Sequence, residues 1–228
     1  MTETIFFLGA DERLVGVTTY CNYPVSAKQI AKVGDFSNPS IEKVVGLKPD
    51  LVLIALPEQK RMMRELKKFG IRIFVSHPHT IRDIIGEIDS LARILNRPSP
   101  RDSLLAFLKP QPAQRKRLKV YVELSSDPII TTGRSSFLND LIDNAGGDNI
   151  FSDVPLEFPV VSWEKVFVRN PDVILIFHTG RFEGRNGWMK LEAVRSGRVF
   201  TDLDQDIFLR PGPRTFKALK ILRSIINR

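Results

Sequence analysis

One pattern occurs twice in this chain and restricts its fold more than any other feature. Ser40-Ile41-Glu42-Lys43-Val44 leads to Pro49-Asp50-Leu51-Val52-Leu53-Ile54, and Ser162-Trp163-Glu164-Lys165-Val166 leads at the same spacing to Pro171-Asp172-Val173-Ile174-Leu175-Ile176. Each copy reads as a serine N-cap, a short helix with a carboxylate in its first turn, a Pro-Asp turn and an apolar strand. A strand that is apolar on every residue must be covered on both faces, the condition of a parallel sheet flanked by helices. Two related α/β halves are therefore expected. Helix-end hydrogen bonding and the macrodipole account for Glu42 and Glu164 without any function. Their recurrence at the matching place also suits a docking surface with one anionic point on each half.

The rest of the chain continues the alternation of short β-rich runs with amphipathic stretches that marks βαβ units. Residues 14–19, 50–55 and 71–75 are predicted strands, and residues 41–47 and 61–69 are predicted helices, the second closed by Gly70. Apolar residues fall at spacings of three and four from Ile81 to Leu95, the signature of one helix face. Residues 96–114, with Pro98, Pro100, Pro110 and Pro112, form a broken segment suited to a boundary, helical only at 103–108. The second half restarts with a strand at 118–124, a turn at Asp127-Pro128 and a helix at 136–145 closed by Gly146-Gly147. A strand at 173–177, a helix at 188–194, a strand at 198–200 and a helix at 215–226 complete it. The expected organisation is an N-terminal α/β lobe over 1–79, a connecting helix and linker over 80–116, and a C-terminal α/β lobe over 117–228.

Composition narrows the classes. With 43% apolar and 26% charged residues the chain can bury a core. No apolar run approaches the roughly 20 residues of a membrane span. The opening Met1-Thr2-Glu3-Thr4-Ile5-Phe6-Phe7 is acidic where a secretory leader is basic, so no signal peptide is expected. A single cysteine, Cys21, excludes an internal disulfide and a cysteine-held metal cluster, and reads as a partly buried small side chain. The net charge of +8 is spread along the chain, with one local run at Arg115-Lys116-Arg117-Leu118-Lys119 and no accompanying nucleic-acid motif. A solvated basic face is expected, and no nucleic-acid partner.

Leu14-Val15-Gly16-Val17-Thr18-Thr19-Tyr20-Cys21-Asn22-Tyr23-Pro24, then Val33-Gly34-Asp35-Phe36, Ile41-Glu42-Lys43-Val44 and Leu47-Lys48-Pro49-Asp50-Leu51-Val52 come in the order seen in cobalamin-binding periplasmic proteins. Thr131-Thr132-Gly133, Ala145-Gly146-Gly147-Asp148-Asn149-Ile150-Phe151, Val161-Ser162-Trp163-Glu164 and Asn170-Pro171-Asp172-Val173-Ile174 match later motifs of the same family. Over nearly its whole length the chain thus resembles the cobalamin, haem and iron-chelate class of substrate-binding proteins of ABC importers. The resemblance implies two Rossmann-like lobes with parallel sheets, joined by a single long helix, and a ligand held in the cleft between them. It implies periplasmic or extracytoplasmic placement, a monomer, no catalysis and no catalytic cofactor. It also implies that Glu42 and Glu164 pair with arginines of a membrane permease. By position, the ligand-binding residues it carries over are Tyr20, Phe36, Ile130, Phe158, Asp206 and Arg210. Aromatic walls suit a flat, largely apolar macrocycle, with a few polar groups to orient it.

Two departures qualify the ligand and the first lobe. Family members open with a strand and a Ser-Pro turn absent here, so the first lobe is expected to lack its first strand. Ile130 stands where cobalamin binders tend to carry an aromatic. A corrinoid is the first expectation, and a ferric siderophore or haem the alternative, for which Tyr20, Tyr23, His77 or His178 would supply an iron ligand. His77-Pro78-His79 follows a predicted strand and is a candidate divalent-metal site. His178 also reads as a satisfied loop residue. The glycines Gly180, Gly184 and Gly187 fit no phosphate-binding fingerprint and suggest a mobile surface loop. Asp202, Asp204 and Asp206 suit a cation site or a capped turn before Pro211. No nucleophile, base and orienter set supports an enzyme.

Overall fold

The computed structural model describes residues 1–57, 59–109 and 117–227. It divides into two compact units, Met1–Pro78 with Ile84–Asp102, and His79–Asp83 with Ser103–Arg228. Both are built of helices and mainly parallel strands. Part of the expected linker, residues 110–116, and Arg115 and Lys116 of the basic run lie outside the described residues. Arg117, which follows them, is engaged by Asp148 at 2.5 Å and Asp143 at 2.6 Å.

The first unit contains helices α1 (Thr2–Phe7) and α2 (Ile41–Gly46), strand β1 (Leu51–Ala55), helix α3 (Lys60–Lys67) and strand β2 (Arg72–Ser76). β1 and β2 pair in parallel, with Leu51 opposite Arg72 and Ala55 opposite Ser76. Parallel neighbours need a crossover, and α3 supplies it. Its Met62 and Leu66, one turn apart, bury against Ile54 of β1, Val44 of α2 and Val33. Gly70, left-handed at φ +69°, lets the chain leave α3 for β2. The expected strand at 14–19 is not formed: only Val17 makes a bridge, to Lys32. Val17 N–H donates to Ala31 O, Val33 N–H to Val17 O and Thr19 N–H to Gly34 O, and the chain turns at Thr19 and Tyr20. Extended conformation there comes without a ladder long enough to be a strand.

Helix α4 (Ile81–Ile94) carries Ile81, Ile84, Ile85, Ile88, Leu91 and Ala92 of the expected face, with Leu95 just beyond its end, all buried. Its start is a reciprocal capping box: Thr80 Oγ1 accepts from Asp83 N–H at 3.0 Å, and Asp83 Oδ2 accepts from Thr80 N–H at 2.9 Å. Asp140 Oδ2 accepts a further first-turn donor, Ile81 N–H, at 2.7 Å. Burial, set against that hydrogen bond, raises the Asp140 carboxyl above its ordinary value. At the far end Asn96 turns left-handed at φ +53°, and Arg97 N–H bonds back to Ala92 O. Short helix α5 (Arg101–Leu105) then runs into a 3-10 turn at Ala106–Leu108, two residues ahead of the expected start.

In the second unit the elements are β3 (Leu118–Ser126), β4 (Ile129–Thr131), α6 (Phe137–Ala145), β5 (Gly147–Asn149), α7 (Trp163–Arg169), β6 (Val173–Ile176), α8 (Glu192–Arg195), β7 (Val199–Phe200), α9 (Gln205–Phe208) and α10 (Thr215–Ile226). The sheet order is β4-β3-β6-β7, with β5 also on β3, and only β3–β4 is antiparallel. Val173–Ile176 is buried at every residue, as its composition requires of an interior strand. Ser136 caps α6 through Asn139 N–H, and Gly146 closes it at φ +94°. The helix expected at 188–194 is instead a 3-10 turn, Trp188–Lys190, and then α8. Leu191 steps out between them at ψ 140° to bury its side chain, and Asn170 Oδ1 takes the freed Glu192 N–H at 2.9 Å. Among the described residues no helix is long and apolar enough to cross a membrane.

Candidate functional site

In the first unit, two of the expected ligand residues meet. Tyr20 is 61% exposed, and its ring stands edge-on to Phe36, with centroids 6.5 Å apart and planes at 63°. The loop bearing Phe36 is shaped by Gly34, at φ +122°. A side chain there would also crowd Pro39 Cα at 3.0 Å. Buried Gln59, which sequence reasoning missed, pins that loop to the sheet: its Nε2 donates to Phe36 O at 2.8 Å and its Oε1 accepts from Ala55 N–H at 2.9 Å. Cys21 is half-buried beside the hydroxyls of Thr2 and Thr18, in line with its expected structural role.

The second unit holds the other four. Ile130 lies in β4 and bridges Val160, so Phe158, 47% exposed, stands on the segment running beside that strand. Thr131 N–H to Pro159 O (3.1 Å) and Val161 N–H to Ile129 O (3.0 Å) fix the pairing. The Thr131-Thr132-Gly133 motif supports it. Thr131 Oγ1 donates to Val122 O, and any side chain at Gly133 would strike Leu156 O at 2.2 Å. Asp206 and Arg210 form an ion pair of 2.7 Å across one turn at α9. Asp204 caps that helix, accepting from Asp206 N–H at 2.9 Å, so the acidic alternation is a capped turn.

Glu42 and Glu164 are both exposed at the second position of α2 and α7. Ser40 Oγ accepts from Lys43 N–H at 3.2 Å, the expected cap. Ser162 makes no side-chain cap to its helix, contrary to the expectation for the second copy. The Glu164 carboxyl is instead held below its ordinary value, by its own backbone N–H first and by the Ser162 hydroxyl second.

Sequence reasoning also missed a polar cluster in the second unit. Glu123, fully buried in β3, accepts both arms of Arg185 at 2.6 and 2.7 Å, the Tyr121 hydroxyl at 2.8 Å, and lies 2.9 Å from His178 Nε2. Burial and the neighbouring carboxylate push the Tyr121 hydroxyl far above its ordinary value. His178 is thereby a satisfied loop residue, bonded to Glu123 through Nε2 and to Gly180 N–H through Nδ1. The glycine-rich loop lies at the surface, with Arg181, Glu183, Gly184 and Asn186 exposed, and its central Arg185 is anchored on a buried carboxylate. The available signal was the single acid inside the apolar run Val120-Tyr121-Val122-Glu123-Leu124. Of the expected divalent-metal residues, His77 N–H donates to Glu87 Oε1 at 3.0 Å. His79 Nδ1 is 2.8 Å from Ser135 O and 3.5 Å from Glu157 Oε1.

The chain is similar to proteins of known kind over almost all of its length. It is 30% identical over 231 residues to a vitamin B12-binding protein of Vibrio parahaemolyticus, a match covering 96% of this chain and 83% of the relative. Among solved structures it is similar to the periplasmic vitamin B12-binding protein BtuF of Vibrio cholerae, with TM-score 0.86 and 28% identity over 99% of this chain and 92% of that one. It also matches a possible iron-binding periplasmic solute-binding protein of Staphylococcus epidermidis, with TM-score 0.83 and 29% identity over 100% and 95% of the two chains. The paired α/β units, the repeated helix with its exposed carboxylate and these likenesses agree with a family model that matches residues 1–205, and the chain belongs to the periplasmic binding protein family.

Proposed function

We propose that this chain is the substrate-binding component of an ABC importer, capturing a corrinoid and delivering it to a membrane permease without catalysing a reaction. Its lobes are residues 1–79 and 117–228, connected by 80–116, and it works outside the cytoplasm as a monomer. The observation that carries the ligand class is the aromatic surface left in solvent in both halves: Tyr20 against Phe36, and Phe158 beside Ile130. Folding normally buries such rings, and their exposure suits a broad, mostly apolar ligand. The B12-binding names of the Vibrio relatives favour a corrinoid. Asp206 and Arg210, already paired, offer hydrogen-bonding groups for its polar side chains.

Glu42 and Glu164 are the docking points for permease arginines. A carboxylate gripped by a guanidinium fork fixes orientation as well as adding affinity, and two such points fix it about two axes. The second reading, a ferric chelate or haem as cargo, is favoured by the iron-binding Staphylococcus neighbour and by the exposed phenols of Tyr20 and Tyr23. Uptake of labelled cyanocobalamin into vesicles carrying the importer tests the whole reading. Native chain should support uptake, the Glu42→Lys/Glu164→Lys pair should abolish it, and equal uptake by both would refute the docking assignment.

A further inference from the structure

A fully buried carboxylate in the middle of an apolar strand needs a reason, since a valine at position 123 would pack without desolvating a charge. Glu123 is matched by a two-pronged arginine, a phenol and an imidazole, and the arginine does not come from the sheet. Arg185 belongs to the loop between β6 and α8, and beyond Glu123 it touches α7. Its guanidinium carbon lies 5.1 Å from the ring centre of Trp163, the first residue of that helix. The three residues after Arg185 continue along the same side of α7. Asn186 O accepts the Trp163 indole N–H at 2.8 Å. Gly187, at φ +79°, lies so close under Phe167 that a Cβ would stand 2.4 Å from that ring. Trp188 is buried with its ring centre 5.9 Å from Trp163. Residues 163 and 167 are one turn apart, so the loop follows a single helix face, and Glu164 projects exposed from the adjacent position.

We infer that the Glu123–Arg185 pair is a positioning clamp that sets the direction of the α7 N-terminus, and with it the Glu164 carboxylate, for engagement of the permease. The inference rests on the reading of Glu164 as a docking point and adds what holds that point in place. A cation stacked on the indole and a carbonyl on its N–H constrain Trp163 in both tilt and rotation. The buried carboxylate fixes the arginine, because a guanidinium held by two parallel bonds has one orientation. Arg185 acts through Trp163 and is a positioning residue, apart from those assigned to the ligand.

The test uses the full chain and the importer's permease in nanodiscs. Glu123→Gln/Arg185→Gln replaces the charged pair with a neutral one, and Arg185→Lys keeps charge while losing the fork. The double variant should weaken permease binding about tenfold and the lysine variant less, with cyanocobalamin affinity and far-ultraviolet circular dichroism unchanged. Trp163→Phe, which leaves the buried pair intact, should weaken docking in the same direction, so the inference survives if the double variant fails to fold. Glu164→Lys is measured in parallel. If it docks normally, the docking reading fails and the clamp falls with it. If it loses docking while the folded double variant and Trp163→Phe bind as native, the docking reading stands and the clamp is refuted.

Discussion

The two copies of the repeated motif reach the same local structure and are secured in different ways. In the first, α2 is capped by Ser40, and its Val44 packs into a cluster with Ile54, Met62 and Leu66. In the second, α7 has no serine side-chain cap, and is held by the Arg185 loop at its start, by Gly187 under Phe167, and by Arg169 on Asp153 at its end. The strands differ as well: only Ile54 of β1 is buried, whereas all four residues of β6 are. Both copies end their helix with a non-glycine residue in left-handed conformation before the proline, Lys48 at φ +50° and Asn170 at φ +43°. A short motif thus sets helix, turn and strand, and the surroundings decide what anchors them. β1 sits in a two-stranded sheet with Gln59 bonded to its last residue, and β6 lies inside a larger one beside a buried charge.

The largest expected effect breaks this contrast at its polar end. Arg185→Met strands Glu123 without its main partner, and should destabilise the protein by about 3–5 kcal/mol in denaturant unfolding. A cost under about 1 kcal/mol would mean that Glu123 is not held ionised by Arg185. The serines sharpen the comparison. Ser40→Ala should cost about 1 kcal/mol for its lost cap, and Ser162→Ala less than half of that, by the same measurement. Equal losses would show that the two helix starts are secured alike. The smallest effect has the opposite sign: Lys48→Asn should stabilise by about 0.5 kcal/mol, because asparagine tolerates the left-handed region better than lysine. A thermal melt shifted downward would contradict the left-handed assignment at that position.

Much of the fold was legible because it is written in local pattern. The period of α4, the run of α10 and the apolar strands β1, β2, β3 and β6 each follow from residues within one element. Residues 14–19 look like a strand by composition, but pairing is a property of the partner, and only Lys32 offers Val17 a bridge. Residues 188–194 look like one helix until Leu191 leaves it to reach the core, with Asn170 from a distant turn taking the freed amide. Of the candidate ligand residues, Tyr20 and Phe36 lie inside the ordered motifs and the other four follow by position from the resemblance, whereas Gln59, which holds Phe36, carries no local signal. Glu123 and Arg185 stand 62 residues apart, and nothing in either neighbourhood announces the other. Side chains that position a site across the sheet are the part that sequence pattern conceals.

Calorimetric titration of the chain with cyanocobalamin, with haemin and a ferric chelate run alongside, addresses the central claim. The account predicts tight one-to-one binding of cyanocobalamin that Tyr20→Ala and Phe158→Ala each weaken. No heat with cyanocobalamin, together with binding of haemin or the ferric chelate, would contradict the corrinoid assignment.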